Sequence, residues 1–99
     1  MRGLEVRRLL SRGESLHGML VVAFLAPGTG RAVFVAGGKV GGAVRRNRAK
    51  RVMRAAWRQV ELRLLEGYDV AWVARATARS ARTNDLVKEM TQLLEDARR

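Results

Sequence analysis

From Ser15 to Gln59 the chain contains no aspartate or glutamate, although nine lysines and arginines lie in that stretch. The acids are confined to the two ends of the chain, at Glu5 and Glu14 and then from Glu61 onward. Unpaired charges are very costly to bury, so any fold of this chain must leave these cations on its surface. Such a separation of charge signs is typical of a surface that meets a polyanion rather than of an ordinary solvated face.

The overall charge points to the same class of partner. The 99 residues carry a formal net charge of +11, which favours nucleic acid over an acidic membrane surface or an acidic protein. An apolar content of 47% indicates a folded protein rather than a disordered one. We therefore predict a single nucleic-acid-binding domain over residues 1–99.

Several kinds of site are excluded by composition. The absence of cysteine rules out disulfides and thiolate zinc sites, and a single histidine, His17, rules out a multi-histidine metal site. The acid-free centre argues against a two-metal nuclease, so we predict neither catalytic residues nor a metal site in the protein.

The longest apolar run, Met19–Ala26, is too short to span a bilayer. Residues 1–18 lack a signal-peptide pattern, and a cytoplasmic protein is expected.

Hydrophobic periodicity and turn residues predict a small α+β sandwich. The strands are expected to include a hairpin around the turn Pro27–Gly30. The predicted elements are a helix over 3–12, strands Met19–Ala26 and Arg31–Ala36, a glycine-rich loop Gly37–Gly42, a helix Arg46–Leu65, a strand Asp69–Arg75, and a helix Asp85–Arg98 capped by Thr83 or Asn84.

The segment from Arg46 to Leu65 has two distinct faces when it is drawn as a helix. At about 100° per residue, with Arg45 at 0°, an apolar stripe lies between about 340° and 100°, and Trp57 lies at its edge. A cationic ridge lies between about 140° and 240°, and its like-charge pairs four residues apart each cost roughly 0.2–0.5 kcal/mol. The ridge therefore requires a partner that neutralises it. The stripe contains Ala49, Val52, Met53, Ala56, Val60 and Leu64, and the ridge contains Lys50, Arg51, Arg54 and Arg58.

The predicted start of this helix carries Arg46, Asn47 and Arg48 directly after the glycine-rich loop. Cations at a helix N-terminus oppose the helix dipole, which again indicates an anion nearby. Asn47 has two open interpretations, because its side chain can cap the helix or contact a base or ribose. Trp57 and Trp72 are expected to fill the core, as are Met53, Met90 and Leu93.

The stretch from Lys39 to Arg54 resembles the signature K-V-G-x-A-V-x-R-N-R-x-K-R-x-x-R of the protein subunit of bacterial ribonuclease P, and the Arg46–Asn47–Arg48 triplet is its most specific part. The motif GYDVAWVAR, Gly67 to Arg75, is also similar to that family, and SRGESLHGMLVVAFL, Ser11 to Leu25, resembles it more loosely.

The resemblance implies a two-layer α-β sandwich in the order αβββαβα, with an unusual left-handed βαβ crossover as in the second-domain fold of some ribosomal proteins. It also implies a short additional strand near Ser15–His17. The expected function is that of the protein subunit of ribonuclease P, which binds the catalytic RNA one to one and assists removal of the 5′ leader of precursor tRNA. The catalytic Mg²⁺ would be held mainly by the RNA.

The resemblance also assigns residues to two surfaces. Val6, Leu10 and Phe24 would line the cleft for the leader, but Val6 and Leu10 stand where many family members carry phenylalanine. Because an aromatic platform contributes about 1–3 kcal/mol per stacked base, weaker stacking of the leader is expected. The side chains expected to face RNA are Lys39, Arg45, Arg46, Asn47, Arg48, Lys50, Arg51, Arg54 and Arg58.

Two alternatives stay open on the residues alone. One is another small basic RNA-binding protein, of ribosomal or RNA-chaperone type, which would share the cationic ridge. The other is a peripheral membrane protein that uses a basic amphipathic helix. Ala49, Ala55 and Ala56 would give such a helix little insertion energy, which makes the membrane function the weaker of the two.

Overall fold

The computed structural model describes residues 14–64 and 66–97. The order βββαβα over these residues agrees with the implied fold, and the implied short strand is present at the start. The helix predicted over 3–12, with Val6 and Leu10, lies outside the described residues. The elements are β1 Glu14–His17, β2 Val21–Pro27, β3 Ala32–Ala36, α1 Ala43–Val60, β4 Tyr68–Ala74 and α2 Thr83–Ala97, with short 3₁₀ helices at Glu61–Arg63 and Ala76–Ser80.

The four strands form one mixed sheet in the order β1-β2-β4-β3. The strand β2 pairs antiparallel with both β1 and β4, whereas β3 pairs parallel with β4. The predicted hairpin of β2 and β3 is therefore wrong, because β4 lies between them. The hairpin in the sheet is formed by β1 and β2. The strand β4 is flanked on both sides and is almost entirely buried, as expected for a central strand.

Asp69 explains why the turn after β2 does not close a hairpin. Its carboxylate accepts backbone N–H bonds from Thr29 at 3.0 Å and Arg31 at 2.8 Å. The N–H of Gly28 donates to the carbonyl oxygen of Gly67 at 2.7 Å. Gly67 has φ +83°, a backbone conformation that glycine adopts without strain. The chain from β2 to β3 is thus fastened across the beginning of β4.

Both described helices pack on one face of the sheet. Alternate residues of the central strand, Val70, Trp72 and Ala74, join the buried residues of α1 and α2 in one core. The rings of Trp57 and Trp72 meet with centroids 5.6 Å apart at 55°, within the range of favourable aromatic pairs. The core positions predicted from the sequence are confirmed. They are Met53, Trp57, Trp72, Met90 and Leu93, all at most 8% exposed.

The helix α1 connects the parallel neighbours β3 and β4, so the three elements form a βαβ unit. This connection places α1 beside the edge strand β3 on one flank and beside the 3₁₀ helix Ala76–Ser80 on the other. The left-handed sense of the crossover stays a prediction. The arrangement leaves the outer side of α1 facing away from the sheet.

Candidate RNA interface

The first turn of α1 is formed by residues that precede the signature triplet. The helix begins at Ala43 rather than Arg46, and Gly42 is its N-cap, without a side-chain hydrogen bond to the cap. The N–H of Arg46 donates to the carbonyl oxygen of Gly42 at 3.0 Å, as in a helix interior. The capping interpretation of Asn47 is therefore wrong, because Asn47 lies in the second turn with an exposed side chain.

The outer side of α1 carries the cations that the sequence places there. The buried residues Ala49, Met53, Ala56, Trp57 and Val60 form a single line along the helix. The opposite side is therefore the most exposed. We call the cations of α1 other than Arg48, whose guanidinium binds the carbonyl oxygens of Arg79 and Ala81, the α1 cationic surface. It consists of Arg45, Arg46, Arg51, Arg54 and Arg58, which are exposed, and Lys50, which is half-buried.

No carboxylate among the described residues lies within 4.0 Å of a cationic group of this surface. The ion pairs within residues 14–64 and 66–97 join Arg31 to Asp69 at 3.7 Å and Arg63 to Glu95 at 3.5 Å, and neither cation belongs to α1. The first turn of α1 also contains no acid that would offset the helix dipole. The described part of the protein therefore leaves this surface uncompensated.

Arg54 has an aromatic neighbour instead of an acidic one. Its guanidinium carbon lies 5.8 Å from the centroid of the Phe34 ring on β3, within the range of a cation–π contact. This contact neutralises no charge. The contact holds the guanidinium of Arg54 above β3, which is an edge strand of the sheet.

The structure separates Arg48 from the other residues of its signature. Its guanidinium donates to the carbonyl oxygens of Arg79 at 3.1 Å and Ala81 at 3.0 Å. The side chain is half-buried between α1 and the connector that leads from β4 to α2. A role in RNA binding stays a prediction for Arg48, whereas its fastening of the connector is visible. Sequence spacing alone did not reveal this contact, because the connector lies 31 residues further along the chain.

The connector itself carries three arginines that are not among the side chains predicted to face RNA. Arg75, Arg79 and Arg82 are exposed. Their spacing of four and three residues, with no acid from Val70 to Asn84, is a signal that was available in the sequence. Lys39, which was predicted to contact RNA, is exposed and lines the same shallow cavity as Arg75.

The second sheet face, on the side away from α1 and α2, carries Phe24. Cross-strand partners share a face, and the register places Ser15, Phe24, Ala71 and Val33 in one row across the four strands. Phe24 and Val33 are half-buried on either side of the small residue Ala71. This row provides a shallow apolar strip with one aromatic side chain. Val6 and Leu10, the other residues predicted for the leader cleft, lie outside the described residues.

A family model described as ribonuclease P matches residues 4–98. The chain belongs to the ribonuclease P protein family. Among curated relatives, the ribonuclease P protein component of Dehalococcoides mccartyi is 36% identical over 93 residues, covering 91% of this chain and 76% of the relative. The component of Chloroflexus aurantiacus is 34% identical over 97 residues, covering 94% of this chain and 72% of the relative.

Solved structures of ribonuclease P proteins share the fold. A Staphylococcus aureus RNase P protein mutant with defective mRNA degradation activity aligns with a TM-score of 0.81 at 20% identity, covering 99% of this chain and 86% of that one. The Thermotoga maritima protein in complex with 1-(4-fluorophenyl)-2-thiourea aligns with a TM-score of 0.79 at 20% identity, covering 96% and 97%. The observed βββαβα order is thus that of ribonuclease P proteins.

No group of three or more histidine, cysteine, aspartate or glutamate side chains within residues 14–64 and 66–97 is placed to hold a metal ion. Asp69 and Glu89 are both occupied by backbone N–H donors. The helices of the described ranges are also too short or too polar to cross a membrane.

Proposed function

We propose that this protein is the RNA-binding subunit of ribonuclease P and that the α1 cationic surface binds the backbone of the catalytic RNA. The observation that carries the proposal is the row of cations on α1 that no described carboxylate neutralises. Each phosphate contact by lysine or arginine releases counterions, which supplies binding energy independent of base sequence. Membership of the ribonuclease P family supports RNA of that ribonucleoprotein as the polyanion.

The second sheet face is proposed to hold the 5′ leader of precursor tRNA. Phe24 supplies a half-buried aromatic ring next to the small residue Ala71. Unpaired bases stack on aromatic side chains largely without regard to sequence. Phe24 is the one aromatic residue on this face within the described ranges, so we expect the leader to contribute modestly to precursor binding.

The cleavage step is assigned to the RNA in this proposal, with Mg²⁺ held mainly by the RNA. The protein screens phosphate repulsion within the folded RNA, so its presence is expected to lower the Mg²⁺ concentration that activity requires. One protein per RNA is proposed, acting in the cytoplasm.

Reconstitution tests the function. The purified protein is combined with the ribonuclease P RNA from the same genome, and removal of the 5′ leader from a radiolabelled precursor tRNA is followed at a series of Mg²⁺ concentrations. We expect cleavage at low Mg²⁺ only when both components are present.

Two results would contradict the proposal. One is cleavage by the protein without RNA, and the other is an RNA whose Mg²⁺ requirement is unchanged by the protein. A variant with Lys50, Arg51 and Arg54 changed to alanine tests the α1 cationic surface in the same assay, and it should require more protein or more Mg²⁺ than wild type for the same rate.

A further inference from the structure

The connector between β4 and α2 forms a second cationic strip beside α1. It begins at Arg75, passes through the 3₁₀ helix Ala76–Ser80, and ends at Arg82. Arg75, Arg79 and Arg82 are all exposed. A 3₁₀ helix rises by about 2 Å per residue, so Arg75 and Arg79 are separated by roughly 8 Å along the backbone. The strip is thus long enough to meet successive phosphates of one RNA strand.

The arginines of the connector are not neutralised by described carboxylates. No carboxylate within residues 14–64 and 66–97 lies within 4.0 Å of the guanidinium groups of Arg75, Arg79 or Arg82. Asp85 is near Arg82 in sequence, but its carboxylate accepts the backbone N–H of Arg82 at 3.0 Å, at the start of α2. The carboxylate of Asp85 therefore stabilises the N-terminus of α2. The guanidinium of Arg82 has no acidic partner among the described residues.

Two observations place the connector next to the surfaces already described. At one end, Lys39 and Arg75 line the same shallow cavity. Further along, the guanidinium of Arg48 reaches across from α1 and binds the carbonyl oxygens of Arg79 and Ala81. Arg48 thereby fixes the connector against the N-terminal half of α1. The cations of α1 and those of the connector therefore lie on one continuous surface.

We propose that Arg79 and Arg82 contact the backbone of the same RNA that binds α1, so that the footprint wraps from the helix onto the β4–α2 connector. Arg75 is left out because its guanidinium donates to the carbonyl oxygen of Gly18 at 2.9 Å. This inference rests on the proposed function, because it takes the RNA bound by α1 as its ligand. Because Arg48 already holds the backbone of the connector at Arg79 and Ala81, that backbone has less conformational freedom to lose when RNA binds. The contacts go to phosphate and carry no base preference.

The test measures how RNA affinity depends on salt for single variants. Each lost phosphate contact lowers the slope of log K against log[salt] by about 0.7–0.9. Between 50 and 200 mM salt this makes the loss of affinity about 3-fold smaller per contact. Arg79→Ala and Arg82→Ala are compared with Arg51→Ala, an exposed position on α1, using the ribonuclease P RNA from the same genome. Far-UV circular dichroism and the Tm establish that each variant is folded.

Arg63→Ala is the matched control for loss of one positive charge. Arg63 lies beyond the C-terminal end of α1, about 18 Å or more along the helix axis from Arg48. We expect Arg51→Ala, Arg79→Ala and Arg82→Ala each to lower the slope, and Arg63→Ala to leave it unchanged.

The outcomes separate the two proposals. A lowered slope for Arg51→Ala, with wild-type slopes for Arg79→Ala and Arg82→Ala, would overturn the connector contact and leave the proposed function in place. Wild-type slopes for all three variants would overturn both. An equal decrease for Arg63→Ala would also overturn the connector contact, because the effect would then follow net charge and not position.

Discussion

The guanidinium of Arg48 donates to the carbonyl oxygen of Ala81 at 3.0 Å and to that of Arg79 at 3.1 Å. The third residue of the signature triplet therefore holds two parts of the protein together, while Arg46 and Asn47 beside it are exposed. One short motif thus combines a structural residue with residues that are free to meet a ligand.

Replacement of Arg48 by alanine is expected to destabilise the fold. Hydrogen bonds to a charged group contribute about 1.5–3 kcal/mol when buried, and this side chain is half-buried, so we expect a loss of about 1–3 kcal/mol. Urea unfolding of Arg48→Ala measures it. The control is Arg51→Ala, which removes an exposed charge from the same helix and should change stability by no more than about 0.5 kcal/mol. Equal stability of the two variants would show that the contacts of Arg48 contribute nothing.

Glu89 on α2 is expected to be the main link between that helix and the turn from β1 to β2. Its carboxylate accepts the backbone N–H groups of Met19 at 2.8 Å, Leu20 at 2.9 Å and Val21 at 2.8 Å. In Glu89→Gln an amide N–H₂ replaces one acceptor oxygen and faces these donors. We expect a loss of about 1–3 kcal/mol in the free energy of unfolding.

Glu95→Gln is the control for Glu89→Gln on the same helix. Glu95 is an exposed acid whose carboxylate lies 3.5 Å from the guanidinium of Arg63. Surface ion pairs of this kind contribute at most about 1 kcal/mol. If denaturant titration gave the two variants the same midpoint, the role assigned to Glu89 would be wrong.

Gly28 is expected to tolerate no side chain. A Cβ atom there would lie 2.2 Å from the carboxylate of Asp69. That carboxylate cannot move away without breaking its bonds from the N–H groups of Thr29 and Arg31. We expect Gly28→Ala to lower the Tm by several degrees, since about 1 kcal/mol corresponds to roughly 4–8 °C in a domain of this size. The control is Gly37→Ala, because a Cβ atom at Gly37 would meet open space. This variant should leave the Tm unchanged or slightly raised. An equal fall of the Tm in both variants would refute the packing argument.

Phe24 is expected to affect binding of precursor tRNA but not of mature tRNA. Loss of one stacking platform weakens binding by about 1–3 kcal/mol per base, and mature tRNA has no leader to stack. The measurement compares Kd for both tRNAs with holoenzyme containing Phe24→Leu. Phe34→Leu, which removes a ring from the opposite sheet face, is the control and should leave the ratio of the two Kd values as in wild type. A wild-type ratio for Phe24→Leu would place the leader elsewhere.

Local periodicity was sufficient to predict much of this fold. The apolar spacing of α1 correctly placed Ala49, Met53, Ala56 and Val60 in the core, because helix geometry alone determines which positions share a face. Val52 and Leu64, predicted for the same stripe, are half-buried. The start of α1 was placed three residues late, since the glycines before it obscured the first turn. Similarly, α2 begins at Thr83 and not at Asp85, with Asp85 accepting the N–H of Arg82, so the predicted caps at Thr83 and Asn84 are wrong.

The order of the strands in the sheet could not be predicted from local sequence patterns. The sequence between β2 and β3 has the composition of a hairpin turn, and nothing near it shows that Asp69, some 40 residues away, will accept two of its N–H groups. The same limit applies to Arg48, whose partners lie in the connector. The α1 cationic surface could be predicted because it needs only helix periodicity and a lack of acids. The connector arginines become part of the candidate interface only when the fold places them beside α1.

The salt dependence of RNA binding by the triple variant of Lys50, Arg51 and Arg54 to alanine tests most directly whether the α1 cationic surface lies on an RNA backbone. Binding of the ribonuclease P RNA from the same genome is titrated with wild type and variant between 50 and 200 mM salt. We predict a slope of log K against log[salt] that is smaller by about 2–3 in the triple variant, corresponding to about 0.7–0.9 for each lost phosphate contact. A triple variant that folds normally and keeps the wild-type slope would contradict the account, because these cations would then have no contact with phosphate.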